Sequence, residues 1–355
     1  MKIAVFLPNW IGDAVMATPA LKAIRQQFPD AEIVTIQRPY VADALDGLDL
    51  VDRTISLQNG QKLISRLGLL QQLRRERFDL SILFPNSFRS AWLSFLAGIP
   101  RRVGINRDGR RWLLTDALPA GDKQTPHPAI DEYLRIATFL VEEDQANARV
   151  SLPLSRTMEL AVTDADRQRW KSFLDKQSTD FKSRPLVCLN PGGAFGGAKH
   201  WPVAHFGELA ERIANELGRS VLVVCGPAEK NEALQIVEQA NHPLVTSLAA
   251  EPLHLGLTKA AIQQAELLVT TDSGPRHFAA PFQVPVVTLF GPTHILWSET
   301  FYDRSLHLQL DLDCGPCQQR VCPLGHHRCM KDLRSDQVFR AVLSLLDQQQ
   351  NKKAA

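Results

Sequence analysis

The feature that most constrains the fold of this 355-residue chain is an abrupt change of residue type within positions 269–280. The β-branched run 269–271 stops at Asp272-Ser273-Gly274, and an alanine-rich apolar stretch follows. This pattern predicts a buried strand, a tight turn and then a helix. Unpaired backbone N–H groups and the helix dipole favour an anion at such a helix start, so the pattern predicts a phosphate site.

A second loop of this kind lies earlier in the same half of the chain, at positions 190–202. It is rich in glycine and alanine, and at glycines such as Gly193 the backbone can approach a ligand closely. Lys199 follows these small residues, where a lysine can meet a diphosphate as a mobile charge, although most lysines only solvate a surface. Two phosphate-type loops predict that this half of the chain binds a nucleotide diphosphate.

Other side chains near these loops are candidate ligand contacts. The hydroxyl of Ser273 can donate to a phosphate, Gly274 lets a ligand come close, and His277 is predicted one helical turn further on. Asp272 either caps the predicted helix or binds sugar hydroxyls, and its position leaves both roles open. Glu229 follows another predicted strand, where a carboxylate can accept from ribose hydroxyls or simply lie on the surface.

Apolar strand-like runs alternate with helical patterns along the chain, as when 2–7 is followed by 14–27. This alternation predicts parallel sheets with right-handed crossovers. We therefore predict an α/β fold with two Rossmann-like, doubly wound domains that face a central cleft. The predicted divisions are 1–165, 166–335 and a C-terminal helix and tail at 336–355. Ligands of such sheets bind beyond the carboxyl ends of the strands, where both loops lie.

The loop after the first predicted strand lacks a G-x-G-x-x-G pattern, which argues against a dinucleotide site in the N-terminal half. It contains instead a single carboxylate, Asp13, directly after Gly12 at the start of the first predicted helix. Asp13 either caps this helix or acts as a general base toward a bound hydroxyl group. Both roles would use the same carboxylate oxygens, so they can be told apart by the contacts of the side chain.

Basic residues cluster in the N-terminal half, although the whole chain has a net charge of only +2. Five arginines lie within 101–111, and the segment 85–90, with Asn86, Ser87 and Arg89, ends a nearby strand. The cluster predicts an anionic partner, such as a phosphate or carboxylate sugar or an acidic lipid. Nucleic acid is disfavoured, because the arginines lack interleaved aromatic residues and the C-terminal half is not basic.

The sequence predicts a cytoplasmic protein. The apolar start of the chain is too short for a signal peptide, and no apolar run is long enough for a transmembrane helix. Such a location disfavours disulfide bonds between cysteines.

Four of the six cysteines lie together near the C-terminus, at Cys314, Cys317, Cys322 and Cys329. The first pair has the spacing of a zinc site, whereas the second pair is spaced atypically. The four cysteines either bind a structural zinc ion or stay reduced and pack against neighbouring residues. We favour the second alternative. A catalytic role for these cysteines is not expected.

Taken together, the chain resembles the lipopolysaccharide heptosyltransferase family, and within it most closely the heptosyltransferase II group. The resemblance covers essentially the whole chain. It is carried by positions 9–13, 83–91, 191–202 and 271–274, with His277. The second and third of these segments are the most specific.

The resemblance implies an inverting GT-B glycosyltransferase that transfers L-glycero-D-manno-heptose from ADP-heptose to the first heptose of the lipopolysaccharide inner core, without a required metal. Asp13 is implied as the base. The implied donor-binding residues are Gly193, Lys199, Glu229, Thr271, Asp272, Ser273, Gly274 and His277. The implied acceptor-binding residues are Asn9, Asn86, Ser87, Arg89 and Arg107. The implied acceptor is lipid A–Kdo–heptose, which predicts peripheral contact with the cytoplasmic face of the inner membrane.

Two alternatives remain open from the sequence. One is another sugar-nucleotide enzyme of this fold, either a glycosyltransferase with a different acceptor or an epimerase. The other is a non-catalytic paralogue that binds a nucleotide sugar, against which the presence of Asp13 argues.

Overall fold

The computed structural model describes residues 1–57, 63–122, 125–145, 155–193 and 196–354. The chain divides into two compact units, Met1–Leu160 and Ala161–Ala355. Positions 194 and 195 of the predicted phosphate loop lie outside the described residues.

The first unit contains a parallel sheet of six strands in its described part. The strands are β1 (Lys2–Phe6), β2 (Glu32–Gln37), β3 (Arg53–Ser56), β4 (Leu80–Leu83), β5 (Arg101–Ile105) and β6 (Asp116–Leu118). The helices are α1 (Ile11–Met16), α2 (Thr18–Gln27), α3 (Pro39–Leu45), α4 (Leu63–Glu76), α5 (Phe88–Leu96) and α6 (Ala129–Gln145). The strand order is β3-β2-β1-β4-β5-β6, with every pair parallel.

The second unit repeats this plan. Its described strands are β7 (Leu186–Asn190), β8 (Ser220–Val223), β9 (Val245–Ser247), β10 (Leu267–Thr271), β11 (Val286–Phe290) and β12 (Ser305–Gln309). Its helices are α7 (Asp164–Asp175), α8 (Thr179–Ser183), α9 (Val203–Leu217), α10 (Lys230–Ala240), α11 (Leu255–Gln263), α12 (Arg328–Lys331) and α13 (Ser335–Ala354). The order is β12-β11-β10-β7-β8-β9, again all parallel.

The sequence periodicity predicts several elements well because their apolar residues lie on faces that the fold buries. The helix α9, for example, buries residues such as Phe206, Leu209 and Ile213, and they pack in one core with strands of the second sheet. The predicted helix over 14–27 is instead two helices that meet at Ala17. Pro19 is the second residue of α2, and a proline cannot donate the backbone hydrogen bond that a continuous helix would need.

One sequence prediction about the second unit is wrong. The segment after β10 was expected to begin an α-helix, whereas the structure has a five-residue 3₁₀ helix, Gly274–Phe278. Pro281 provides a reason, because it lacks an N–H and disfavours the α conformation of the residue before it. A phosphate site at this position therefore cannot rely on the dipole of a long helix.

The strand order identifies where each sheet offers a binding crevice. In the first unit the order reverses between the neighbours β1 and β4, and in the second between β7 and β10. Ligands of doubly wound sheets bind beyond the carboxyl ends of the strands at this switch point. Asp13 follows β1, Asn86 follows β4, and the two predicted phosphate loops follow β7 and β10.

Among the described residues, no helix combines the length and the apolar composition needed to cross a membrane.

Candidate active site

The two predicted phosphate loops, distant in the sequence, come together at the switch point of the second unit. Asn190, at the end of β7, pairs in register with Thr270 of β10. Its side-chain nitrogen donates to the Ser273 hydroxyl over 2.7 Å and to the Thr270 hydroxyl over 2.9 Å. The Thr271 hydroxyl donates to the carbonyl oxygen of Gly192 over 3.0 Å. These hydrogen bonds hold the starts of the two loops against each other.

A salt bridge between Lys199 and Asp272 joins the loops a second time. The Lys199 Nζ donates to Asp272 Oδ2 over 2.5 Å and to the Asp272 carbonyl oxygen over 3.0 Å. Both side chains are only 10% exposed. Lys199 ends a short 3₁₀ helix, Gly197–Lys199, so its backbone is also ordered. The ammonium group is therefore fixed between the two loops rather than spread over the surface.

Both oxygens of the Asp272 carboxylate have partners within the second unit. Thr293 donates to Oδ2 over 2.7 Å, and Ser298 donates to Oδ1 over 3.0 Å. Burial would raise the pKa of this carboxyl, but the charges of Lys199 and Arg276 outweigh burial and lower it to about 2. Asp272 thus stays ionised as the counter-ion of Lys199.

The capping role that the sequence left open for Asp272 is wrong. The residue at the N-cap of the 3₁₀ helix is Ser273, and no side-chain cap hydrogen bond forms there. Contact between Asp272 and sugar hydroxyls stays a prediction.

Arg276, Thr293 and Ser298 were missed by the sequence analysis. The Arg276 guanidinium is buried and donates to Thr288, to the backbone carbonyl and hydroxyl of Ser298 and to the ring of His307. The sequence contained one usable signal, a charged residue beside His277 in an otherwise apolar segment. Thr293 and Ser298 follow β11, the next strand of the sheet, and could have been found by extending the strand-end argument.

The other residues predicted to bind a nucleotide sugar lie around the same crevice. Gly193 is close to Ser273, since a Cβ added at Gly193 would lie 3.5 Å from the Ser273 Cβ. Gly274 opens the 3₁₀ helix and His277 lies within it. The Glu229 carboxylate covers Gly192, where an added Cβ would come within 2.2 Å of the Glu229 Cγ. Within the described residues this carboxylate has no hydrogen-bond partner, which suits a group that accepts from ribose hydroxyls.

The protonation of His277 predicts how stability depends on pH. Burial, followed by the neighbouring charge of Arg276, lowers the pKa of His277 to about 3. The unfolded chain binds a proton at this histidine below about pH 6.5, while the folded chain does not. Stability is therefore lost as pH falls from 6.5 toward 3, and urea titrations at pH 7 and pH 5 should differ by about 2 kcal/mol from His277 alone. His277→Asn should remove this difference, and an unchanged pH dependence in the variant would contradict the assignment.

The cysteine-rich segment forms hydrogen bonds with the backbone of the loop that contains Lys199. The Ala198 N–H donates to the Arg320 carbonyl over 3.1 Å, and His327 Nε2 lies 2.7 Å from the Ala198 carbonyl. Gly196 has a φ of 147°, and a Cβ there would lie 2.6 Å from the Arg320 carbonyl oxygen. Only glycine fits this close approach. The segment therefore helps to position Lys199, a role the sequence analysis did not foresee.

The structural zinc ion and the packing role that the sequence left open for Cys314, Cys317, Cys322 and Cys329 both stay predictions. All four are free thiols of intermediate exposure. In the described part of the chain no three cysteine, histidine or acidic side chains are grouped so as to hold a metal ion. Burial, followed by the nearby Cys317, Cys322 and Cys314 thiols, raises the pKa of the Cys329 thiol to about 11.

In the first unit, the position of Asp13 in its helix excludes one of its two predicted roles, and the role as a base stays a prediction. The N-cap of α1 is Trp10, and Asp13 lies three residues further on, in the first turn. The capping role is therefore wrong. The buried Tyr133 of α6 donates its hydroxyl to Asp13 Oδ1 over 3.2 Å. Burial and the Asp13 charge raise the pKa of Tyr133 well above 10, so the phenol keeps the proton it donates.

The residues predicted to bind the acceptor fall into two groups. Arg107 lies beside Asn86, because both donate to the Glu132 carboxylate of α6, over 2.9 Å and 3.3 Å. Asn9 and Arg89 are exposed on the surface, and Ser87 caps α5 by accepting from the Ser90 N–H over 3.3 Å. The hydroxyl of Ser87 is therefore already used in the helix cap, and the acceptor contacts of all five residues stay predictions.

Most of the arginine cluster at 101–111 serves the fold rather than forming a free cationic surface. Arg110 is fully buried and donates to the carbonyl oxygens of Ile105 and Ser87, over 2.9 Å and 3.2 Å. Arg101 pairs with Asp116 over 3.4 Å, and Arg102 donates to the Leu113 carbonyl over 2.6 Å. The sequence could not reveal this, because a buried and a solvated arginine have the same local pattern.

Comparison with known proteins places this geometry in context. Residues 66–328 match the family described as glycosyltransferase family 9 (heptosyltransferase). The chain is 29% identical to lipooligosaccharide heptosyltransferase 2 of Campylobacter jejuni, with 98% of each chain covered. It is 28% identical to lipopolysaccharide heptosyltransferase 2 of Escherichia coli K12, over 99% of this chain and 100% of the other. The solved structure of E. coli ADP-heptose LPS heptosyltransferase II is similar with a TM-score of 0.79 and 26% identity, over 99% and 100% of the two chains. The predicted GT-B fold is confirmed.

Proposed function

The chain belongs to glycosyltransferase family 9, the heptosyltransferases, and on this premise we propose that it transfers L-glycero-D-manno-heptose from ADP-heptose to the first heptose of the lipopolysaccharide inner core. The observation that carries the proposal is the buried Lys199–Asp272 pair at the switch point of the second unit. A lysine fixed between two small-residue loops suits a diphosphate, and the names of the relatives support heptose as the sugar and lipopolysaccharide as the class of acceptor.

The proposed reaction is a single displacement with inversion at the anomeric carbon of heptose. Asp13 takes the proton from the acceptor hydroxyl, whose oxygen forms the new bond to the anomeric carbon. The bond between that carbon and the β-phosphate oxygen breaks, and ADP leaves with the electron pair. Lys199 stabilises the negative charge that develops on the leaving phosphate.

Tyr133 is proposed as a positioning residue for Asp13. Tyr133→Phe removes the hydroxyl that donates over 3.2 Å but keeps the ring, which packs edge-on against Phe84. Loss of a hydrogen bond to a charged group should lower the transfer rate by about tenfold. Steady-state kinetics should show the loss in kcat, with the KM for ADP-heptose unchanged.

We propose that transfer requires no divalent metal, since Lys199 supplies positive charge next to the diphosphate site. Exhaustive dialysis against EDTA should leave the transfer rate within about twofold of the untreated enzyme, a difference of under 0.5 kcal/mol in the barrier. Recovery of a lost activity by Mg²⁺ or Mn²⁺, but not by buffer alone, would contradict this part of the proposal.

The proposal as a whole is tested by mass spectrometry of the purified protein incubated with ADP-heptose and a mono-heptosylated core acceptor. A gain of one heptose on the acceptor, with release of ADP, supports it. Transfer to a different acceptor would place the chain elsewhere in the same family. Intact ADP-heptose that is bound but never consumed would favour the non-catalytic alternative.

A further inference from the structure

An exposed group of aromatic side chains in the first unit has no role in the proposed reaction. Phe88, Trp92 and Phe95 lie on one face of α5, and Trp112 lies in the 3₁₀ helix Arg111–Leu113. They are 41%, 38%, 41% and 60% exposed, respectively. We call these four residues the aromatic patch. Single exposed apolar residues are ordinary, but a contiguous group of large rings marks an interaction surface.

The rings of the aromatic patch pack against one another rather than into the core. Trp112 contacts all three residues of α5, with ring centroids 5.9 to 6.2 Å apart. Trp92 stacks on Phe88 and on Phe95, both with centroids 6.0 Å apart. The rings therefore restrain each other in a fixed surface, and a partner that binds them loses little side-chain entropy.

Arginines lie next to members of the aromatic patch, in the sequence or in space. Arg89 and Arg111 are exposed and directly adjoin Phe88 and Trp112 in the sequence, and the Arg102 guanidinium lies 5.5 Å from the centre of the Phe95 ring. Neither α5 nor the 3₁₀ helix 111–113 contains an acidic residue. The surface thus combines large amphipathic rings with cations, which complements an apolar layer covered by negative charge.

We infer that the aromatic patch docks this protein on the surface of a lipid bilayer that contains anionic headgroups. Tryptophan and phenylalanine insert at the boundary between headgroups and acyl chains, where the amphipathic indole is favoured. Arg89 and Arg111 contact the anionic headgroups, and each such cation contributes to binding.

Docking through the aromatic patch would bring the predicted acceptor contacts close to the membrane. This step of the inference rests on the proposed function. Ser87 caps α5, so the aromatic patch begins at the residue that follows the predicted acceptor contacts Asn86 and Ser87. An acceptor anchored in a bilayer would then present its sugars beside that surface.

Vesicle co-sedimentation of the full chain tests the inference without donor or acceptor. The probes are vesicles of phosphatidylcholine alone and of phosphatidylcholine with phosphatidylglycerol. We expect binding to the anionic vesicles only. Trp92→Ser/Trp112→Ser should lower the partition coefficient at least about tenfold, since two large rings no longer insert. Arg111→Glu should lower it by about fivefold or more, with high salt lowering the wild type likewise.

Matched controls lie on α4 of the same unit. Leu67→Ser removes another exposed apolar side chain, which is 54% exposed, and Arg75→Glu reverses another exposed charge. Both should bind anionic vesicles as the wild type does. Equal losses of vesicle binding in the controls and in the patch variants would overturn the inference. So would a wild-type protein that does not bind anionic vesicles.

A second copy of the chain is the competing occupant of the aromatic patch. Sedimentation velocity of the wild type and of Trp92→Ser/Trp112→Ser separates the two cases. A wild-type dimer that the substitutions dissociate, without any vesicle binding, would overturn the inference. Transfer to a delipidated, soluble acceptor is measured in parallel with the same variant, so failure of docking and failure of the proposed function give different results.

Discussion

Replacing Asp13 by asparagine is expected to lower the rate of heptose transfer by about 10²- to 10⁴-fold, the usual contribution of a general base. The amide is nearly the same size as the carboxylate, and its oxygen can still accept the hydrogen bond from Tyr133. What the variant loses is the capacity to take a proton. The affinity for ADP, measured by calorimetric titration, should stay within about twofold of the wild type, because the proposed diphosphate site lies in the other unit.

The control for this prediction is Asp30→Asn, which changes an exposed aspartate of the same unit. It should leave both the transfer rate and the ADP affinity unaltered. A parallel loss of ADP binding in Asp13→Asn would contradict the base assignment, since it would show that Asp13 acts on the donor. Full activity in Asp13→Asn would exclude it as the base altogether.

Lys199→Ala is expected to weaken ADP-heptose binding and to slow transfer together. The lysine is proposed to contact the diphosphate both in the bound state and in the transition state. Its charge stabilises the transition state more, because negative charge develops on the leaving phosphate there. A loss of about 10²- to 10³-fold in kcat/KM is the size typical of a removed electrostatic contact. Binding is measured by titration with ADP, and transfer by mass spectrometry of the acceptor.

Stability must be separated from function in this variant. Removing one partner of a buried ion pair costs about 3–5 kcal/mol, because the remaining charge is left uncompensated. The Lys199 and Asp272 side chains are each 10% exposed, so Lys199→Ala should lower the free energy of unfolding in urea by an amount in this range. The double variant Lys199→Ala/Asp272→Asn removes both charges but also takes away the carboxylate that faces the buried Arg276, so it should recover only part of that loss.

The double variant should still fail to bind ADP with normal affinity, since it also lacks the lysine. Recovery of both stability and ADP binding would mean that Lys199 only balances Asp272, which would contradict its donor role. Lys171→Ala, at an exposed lysine of the same unit, is the matched control and should change neither quantity.

Much of the candidate site was predictable because its residues follow strands. Asn190 and Asp272 come at or just after the ends of strands in the second sheet, and such ends meet at one edge of a parallel sheet. Asp13 lies in the loop and helix that follow a buried strand of the first sheet. The missing partners come from other elements. Tyr133 lies in the middle of α6, and its contact with Asp13 spans 120 positions of the chain. Nothing in the local sequence around Tyr133 distinguishes it from a tyrosine that only packs.

The exposure of the aromatic patch also could not be predicted from the sequence. Phe88, Trp92 and Phe95 are spaced for one face of a helix, and such a face usually packs into a core. In this fold the core side of α5 is formed instead by the small residues Ala91 and Ser94, and the rings point to solvent. The side of a helix that faces the sheet depends on how the helix docks, which periodicity alone does not specify.

The sequence by itself determined the α/β class, the alternation of strands and helices, and the two loops that bear Lys199 and Asp272. These are local properties, set by side-chain periodicity and by the conformations that glycine and proline allow. The tertiary structure decided that β7 and β10 are neighbours, that Lys199 pairs with Asp272, and that Asp13 contacts Tyr133 rather than capping its helix. Those outcomes depend on strand order and burial, which bring together residues that no local pattern connects.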